Sequence, residues 1–213
     1  MNGRLCIFGV VLFDHFPDGS RVLGGAPFNV AWNLQALGQD VRFISRVGED
    51  AEGKDILGAM RAWDMDTAGV QRDPELPTGR VAVSLEHGDP SYDIVAPCAY
   101  DRILAPADPP ACSILYHGTL ALRDPVSRTA LDAMLAARPD IVFVDVNLRT
   151  PWWHKAEVLA LLGPAHWVKL NTGELALLAG DGRADAAAAQ RFIQAHELHG
   201  LILTHGSAGA EVI

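Results

Sequence analysis

Apolar and polar residues fall into alternating blocks along this chain, and the blocks predict strands and helices in turn. Residues 5–13 are almost continuously apolar, as expected of a strand that is buried on both faces of a parallel sheet. Apolar residues then recur at intervals of three, four and three from Pro27 to Leu37, which is the spacing of one helix face. Gly38 stands where helices commonly end in a left-handed residue. The pattern predicts a strand, a turn and a helix in this order.

The same alternation continues through the rest of the chain. Further strands are predicted at residues 41–47, 113–118, 141–147, 166–170 and 201–204, and further helices at 50–63, 124–138 and 183–199. Asp50 is interpreted as the cap of the second helix, and residues 180–182 as a turn that ends a helix. Strands that alternate with helices indicate an α/β fold built on a parallel sheet.

One segment interrupts the series. Val81, Val83 and Leu85 alternate with polar or small residues, which is the period of a strand that is half buried. The letters HGDP at residues 87–90 then indicate a turn, and an extended segment follows. We predict an antiparallel hairpin at about residues 77–96, for which an ordinary position at a sheet edge is one interpretation.

Composition narrows the class of protein. The 213 residues are 49% hydrophobic and 20% charged, with a formal net charge of −9, which fits one globular domain. Because no basic run occurs, nucleic acid and anionic membrane surfaces are poor partners. Cys6, Cys98 and Cys112 are widely spaced and are predicted to be free thiols in a reducing compartment. The N-terminal segment lacks the features of a membrane span or a signal peptide, so we expect a cytoplasmic protein.

Candidate binding residues lie around the first predicted strand and helix. Asp14 follows the strand directly, and ligands gather at the carboxyl ends of strands in open α/β sheets. A solvated turn residue is the alternative for Asp14. Gly24 and Gly25 precede the helix, and Asn29 lies in its first turn. Such a glycine pair can hold hydroxyls or anions beside the helix start, or it can form a tight turn without a ligand.

The string GGAPFNVAW at residues 24–32 resembles the first signature of the ribokinase-like (PfkB) sugar kinases, closest to their fructokinase branch. The similarity recurs in register along the chain, in GEDAEG at 48–53, DVNLR at 145–149, KLNTGE at 169–174 and THGSAG at 204–209. The resemblance implies a doubly wound three-layer α/β/α sandwich over residues 1–213, with the hairpin as a small β lid over the sugar. Two lids that pair face to face would form a homodimer.

The resemblance also implies roles for individual residues. Sugar binding is implied for Asp14, Gly24, Gly25 and Asn29. Arg149 would lie near the substrate or the transferred phosphate, which suits its fixed fork of donors. Nucleotide binding is implied for Lys169, Asn171, Thr204, Gly206 and Gly209. Glu174 would organise Mg²⁺ through water, because Mg²⁺ prefers oxygen ligands and keeps several waters.

The implied activity is transfer of the γ-phosphoryl group of MgATP to a sugar hydroxyl, with the 6-hydroxyl of fructose as the favoured acceptor. Members of the fructokinase branch usually carry Glu where Val10 stands, which bears on sugar preference. Alternatives are another acceptor, such as 2-keto-3-deoxygluconate, ribose or adenosine, and a sugar-binding or regulatory module without catalysis. A dinucleotide dehydrogenase is disfavoured because no G-x-G-x-x-G follows the first strand.

The general base of the family is the aspartate of a Gly-Ala-Gly-Asp motif, and the resemblance implies that this motif would lie beyond Ile213. The letters AGDG at residues 179–182 are similar but precede the nucleotide loop, out of the family's order. We therefore expect no general base within the 213 residues. If the chain is catalytic by itself, Asp181 and Asp145 are the first alternatives for that role.

Overall fold

The computed structural model describes residues 4–86, 89–180 and 182–213. In chain order, the strands in these residues are β1 (Leu5–Phe8), β2 (Leu12–His15), β3 (Arg21–Gly24), β4 (Val41–Gly48), β5 (Val70–Asp73), β6 (Gly79–Glu86), β7 (Asp89–Ile94), β8 (Ile114–Gly118), β9 (Ile141–Asp145), β10 (Trp167–Asn171), β11 (Gly200–Thr204) and β12 (Ala210–Val212). The α-helices are α1 (Ala26–Ala36), α2 (Ala51–Ala62), α3 (Pro125–Ala136), α4 (Lys155–Leu161), α5 (Thr172–Ala179) and α6 (Ala186–Ala195).

Eight strands form the main sheet, in the order β12-β11-β10-β9-β8-β1-β4-β5. All neighbours in it are parallel except β12, which pairs antiparallel with β11. β4 and β5 follow β1 in the chain and lie on one side of it, whereas β8 to β12 lie on its other side. α1 and α2 pack on one face and α3 on the opposite face. The predicted doubly wound α/β fold is confirmed, and its switch point lies between β1 and β8.

The prediction of one strand over residues 5–13 is wrong, because the chain leaves the main sheet at Gly9. Gly9 has a φ of 147°, and a Cβ atom there would lie 2.7 Å from Cγ of Pro27. β1 therefore ends at Phe8, and β2 joins a second sheet. Residues 6–13 are all buried, so the apolar run continues across the break between the two strands.

The second sheet has four strands in the order β3-β2-β6-β7 and is called the lid sheet below. β6 and β7 form the antiparallel hairpin, while β2 pairs parallel with β6 and antiparallel with β3. Val81 and Val83 are buried in a cluster that includes Tyr100, which explains their alternation with exposed residues. Part of the predicted turn, residues 87–88, lies outside the described residues.

Helix ends follow the capping residues. The Asp50 side chain accepts a hydrogen bond from the Gly53 amide, which confirms its predicted role as a cap. The last predicted helix is shorter than expected, because Asp185 caps α6 and places its first residue at Ala186. Gly180 ends α5 in the left-handed conformation with a φ of 81°. Asp181, an alternative general base, lies outside the described residues.

Cys6 and Cys112 form a disulfide, so the prediction of three free thiols is wrong for these two. Leu5 is in register with Ile114 across β1 and β8, which brings the two cysteines to a Cα–Cα distance of 5.8 Å, within disulfide range. Cys98 is free and buried, and burial raises the pKa of its thiol to about 12.

None of the described helices combines the length and apolar character that a bilayer crossing requires.

Candidate active site

Asp14 and Gly24 lie side by side on the lid sheet. Leu12 is in register with Gly24 and Asp14 with Val22, so all four residues share one face. A Cβ atom on Gly24 would lie 3.3 Å from Oδ2 of Asp14, and the glycine therefore leaves the carboxylate accessible. Among the described residues, none donates a hydrogen bond to this carboxylate. Partial burial raises the pKa of Asp14, and the charge of His15 opposes that shift.

The start of α1 lies next to this carboxylate. Gly25 has a φ of 107°, and a Cβ atom there would lie 2.7 Å from the Val10 carbonyl oxygen, so only glycine fits. No side chain caps the helix, and its first amides consequently remain available as donors. The exposed Asn29 stands in the first turn. Carboxylate, free amides and side-chain amide together form a polar surface suited to hydroxyl groups.

A small cavity lies where β1, β8 and β9 end. Its lining includes Gly9, Pro27, Gly118, Thr119, Asp145 and Asn147. The Thr119 hydroxyl donates to the Asn147 carbonyl oxygen at 3.0 Å and accepts from the Asn147 amide at 3.1 Å. These two bonds hold the loops that follow β8 and β9 together at the switch point.

Asp145 lies at the centre of a buried polar network. Its Oδ1 accepts from Nζ of Lys169 at 2.6 Å, and its Oδ2 accepts from the Tyr116 hydroxyl at 2.5 Å. Burial and the negative charge of Asp145 raise the pKa of Tyr116, so the phenol remains a donor. Lys169 is 37% exposed, and its ammonium keeps donors for a ligand at the sheet edge. Sequence motifs indicated Asp145 and Lys169, but nothing in the sequence pointed to Tyr116.

Asn171 and Glu174 cap α5 reciprocally. Oδ1 of Asn171 accepts from the Glu174 amide at 2.9 Å, and Oε2 of Glu174 accepts from the Asn171 amide at 2.9 Å. Oε1 of Glu174 also accepts from the Leu148 amide at 3.0 Å, which ties the loop after β9 to this helix. Thr204 is in register with Asn171 on the neighbouring strand. The loop after Thr204 contains two left-handed glycines, Gly206 and Gly209.

The carboxylate oxygens of Glu174 fit a magnesium ion that is held through water. Within residues 4–86, 89–180 and 182–213, no group of three acidic, histidine or cysteine side chains could hold a metal ion. Both carboxylate oxygens of Glu174 already accept an amide hydrogen, but each oxygen keeps a further lone pair. A hydrated Mg²⁺ needs few protein ligands when phosphates supply the others.

Arg149 lines a cavity whose lining does not include Asp14. It is exposed, donates to the Leu148 carbonyl oxygen at 3.1 Å, and lines a cavity of about 300 Å³ between α3 and α4. Trp152 lines the same cavity, and the guanidinium of Arg123 lies 4.7 Å from the centre of its ring. Asn147 lines both this cavity and the small one at the switch point. The structure therefore places Arg149 in a neighbouring cavity that meets the small one at Asn147.

Residues 11–213 match the family described as pfkB family carbohydrate kinase. The chain belongs to this family. The fructokinase of Klebsiella pneumoniae is 31% identical over 228 aligned residues, which cover 99% of this chain and 74% of that protein.

Solved structures agree with this family assignment. The apo fructokinase of Vibrio cholerae O395 superposes on this PfkB chain with a TM-score of 0.87 at 27% identity, over 100% of this chain and 78% of the other. Its form with fructose, ADP and calcium bound gives a TM-score of 0.84 at 27% identity, over 99% and 73%. The resemblance to PfkB kinases and the ribokinase-like sandwich with its lid sheet are thereby confirmed.

Proposed function

We propose that this protein is an ATP-dependent sugar kinase that phosphorylates the 6-hydroxyl of fructose. The observation that carries the proposal is the Asp14 carboxylate, which lacks a donor among the described residues and stands beside Gly24 and the uncapped start of α1. A carboxylate in this setting is an acceptor for sugar hydroxyls. Support comes from the family itself and from the Klebsiella relative, which is named a fructokinase.

At the sugar end, we assign the hydroxyl contacts to Asp14, Gly24, Gly25 and Asn29. Asp14 accepts hydrogen bonds from hydroxyls, and the two glycines let the sugar approach the backbone. Asn29 offers an amide donor and an acceptor. Arg149 is assigned to the reacting end, where its guanidinium would reach the transferred phosphate from the neighbouring cavity.

At the nucleotide end, we assign Lys169, Asn171, Thr204, Gly206 and Gly209 to the phosphates and Glu174 to a hydrated Mg²⁺. Lys169 would neutralise phosphate charge while Asp145 holds its ammonium in place. When bound, Mg²⁺ supplies positive charge that stabilises the transferring phosphoryl group. Such catalysis consists mainly of positioning and electrostatic stabilisation.

The acceptor is tested with the full-length protein and MgATP. ADP release is measured with fructose, ribose, adenosine and 2-keto-3-deoxygluconate, and we expect the highest kcat/KM with fructose. A higher value with another acceptor would keep the kinase and refute fructose. A thermal shift with fructose but no ADP release would indicate a sugar-binding module.

Two further assignments follow from this proposal. Exposed Val22 and Tyr92 lie on the same lid face as Asp14, and we expect a second copy's lid to cover them; sedimentation of the Tyr92→Ser variant tests the homodimer. We assign the protein to the cytoplasm, where MgATP is available. Because disulfides are rare there, thiol labelling of Cys6 and Cys112 in fresh extracts tests that location.

A further inference from the structure

Glu52 in the first turn of α2 contacts three different strands of the lid sheet. Its Oε1 lies 2.8 Å from Nε2 of His15 on β2, 3.4 Å from a guanidinium nitrogen of Arg80 on β6 and 3.6 Å from one of Arg21 on β3. The Glu52 side chain is only 11% exposed. One buried carboxylate thus faces three basic side chains, each from a separate strand.

The same helix start also holds the root of β6. Asp50, the cap of α2, accepts from the Thr78 amide at 2.8 Å and from the Thr78 hydroxyl at 2.7 Å. The Gly48 amide donates to the same hydroxyl at 3.0 Å. A Cβ atom on Gly53 would lie 3.0 Å from the Thr78 hydroxyl oxygen, so the glycine permits this close approach. The motif that the sequence marked only as a helix start is therefore one of the places where the lid sheet attaches to the body of the protein.

This attachment is linked directly to Asp14. His15 follows Asp14 on β2, and successive side chains of a strand point to opposite faces. Glu52 contacts β2 from the face opposite to Asp14, so the position of His15 sets the rotation of β2 and the direction of the Asp14 carboxylate. We infer that Glu52 is a positioning residue, which orients Asp14 for the sugar by holding β2, β3 and β6 against α2. The inference rests on the proposed function for its effect on the sugar.

The neighbouring acidic residue of α2 serves as a control. Asp55 also pairs with Arg21, at 2.5 Å, but it is 50% exposed, and among the described residues Arg21 is its one ion-pair partner on the lid sheet. Exposed pairs contribute little to stability or position. Neutralising the buried Glu52 instead leaves two guanidinium groups and the His15 imidazole without their common partner, which is a larger perturbation.

The test compares Glu52→Gln with Asp55→Asn in the full-length protein. Glu52→Gln should raise the KM for fructose about tenfold, leave the KM for ATP within twofold, and change kcat less than threefold. Hydrogen exchange should become several-fold faster at β2 and β6 and stay unchanged at β10. Asp55→Asn should leave all these values within twofold of the wild type.

An unchanged KM for fructose in Glu52→Gln would overturn the inference, as would equal rises in both KM values or a similar effect of Asp55→Asn. The exchange measurement needs no substrate, so it decides the attachment even if fructose is not phosphorylated and the proposed function fails. Should Glu52→Gln not fold, Arg80→Gln removes a partner that is 51% exposed and should reproduce the faster exchange at β6; normal exchange there would refute the attachment.

Discussion

Replacing Asp14 by Asn separates sugar binding from stability, because the two should move in opposite directions. The substitution keeps the size of the side chain and removes the charge. If the carboxylate accepts a hydrogen bond from a sugar hydroxyl, losing this charge-assisted bond costs about 1.5–3 kcal/mol. The Kd for fructose should then rise roughly ten- to a hundred-fold, while the Kd for ATP stays within twofold.

The effect on stability follows from the raised pKa of Asp14. Burial raises that pKa in the folded state, so the folded protein holds the proton more tightly than the unfolded chain. The free energy of unfolding therefore falls as the pH rises from the unfolded pKa through the folded one, and the cost persists at neutral pH. Asn removes this cost. Because Asp14 is only partly buried, the gain should stay below about 1 kcal/mol, and the Tm should be equal to or slightly above that of the wild type.

Titration calorimetry at pH 7.5 compares the Kd values of the wild type and Asp14→Asn for fructose and ATP, and thermal unfolding at the same pH compares their Tm values. The expected pair of results is a weaker affinity for fructose and an undiminished Tm, which a merely structural residue would not produce. Fructose affinity equal to that of the wild type would refute the assignment of Asp14. A fall in Tm together with weaker binding of both ligands would show that Asp14 maintains the fold instead.

Three further predictions concern single residues. Gly25→Ala places a methyl group against the backbone at a residue with positive φ, and it should lower the free energy of unfolding by at least about 2 kcal/mol. Gly58→Ala is the control: it adds a methyl group in open space on α2 and should be neutral or stabilising. Guanidinium unfolding of both variants measures the difference. Burial lowers the pKa of His117 to about 4 in the folded protein, whereas the unfolded chain takes up this proton near pH 6.5. The free energy of unfolding therefore declines as the pH falls from about 6.5 towards 4. Between pH 7.5 and pH 5, His117 should lower the free energy of unfolding by roughly 2 kcal/mol. The His117→Gln variant should lose that much less stability over the same pH range. Equal losses in the variant and the wild type would contradict the prediction. Lys169→Met removes the cation beside Asp145 and should weaken ATP binding about tenfold, with fructose binding within threefold, as measured by calorimetry; unchanged ATP affinity would remove Lys169 from the nucleotide site.

The main sheet could be predicted from the sequence because its physical causes are local. Strands that are buried on both faces appear as continuous apolar runs, and caps such as Asp50 and Asn171 mark where helices begin. The break at Gly9 could not be predicted in this way. Both strands around it are buried, so hydrophobicity does not change where the chain passes from one sheet to the other.

Contacts between distant segments also escaped prediction. The Cys6–Cys112 disulfide and the bond from Tyr116 to Asp145 depend on the register of β1, β8 and β9, which no spacing within one segment reveals. The role of Glu52 could not be predicted either, because a glutamate is common in the first turn of a helix, where it interacts favourably with the helix dipole. Its three basic partners become neighbours only when the lid sheet packs on α2.

The central position of β1 has a consequence for synthesis of the chain. β1 lies between β4 and β8, and Leu5 meets its partner Ile114 only after about 110 further residues have been made. At roughly 5–20 residues per second, one edge of β1 waits about 5–20 s on the ribosome without its neighbour. During that interval an almost wholly apolar strand exposes unpaired backbone groups, which are open to non-native association until β8 emerges. Synonymous codons that slow translation between β4 and β8 should therefore lower the yield of folded protein without changing any residue.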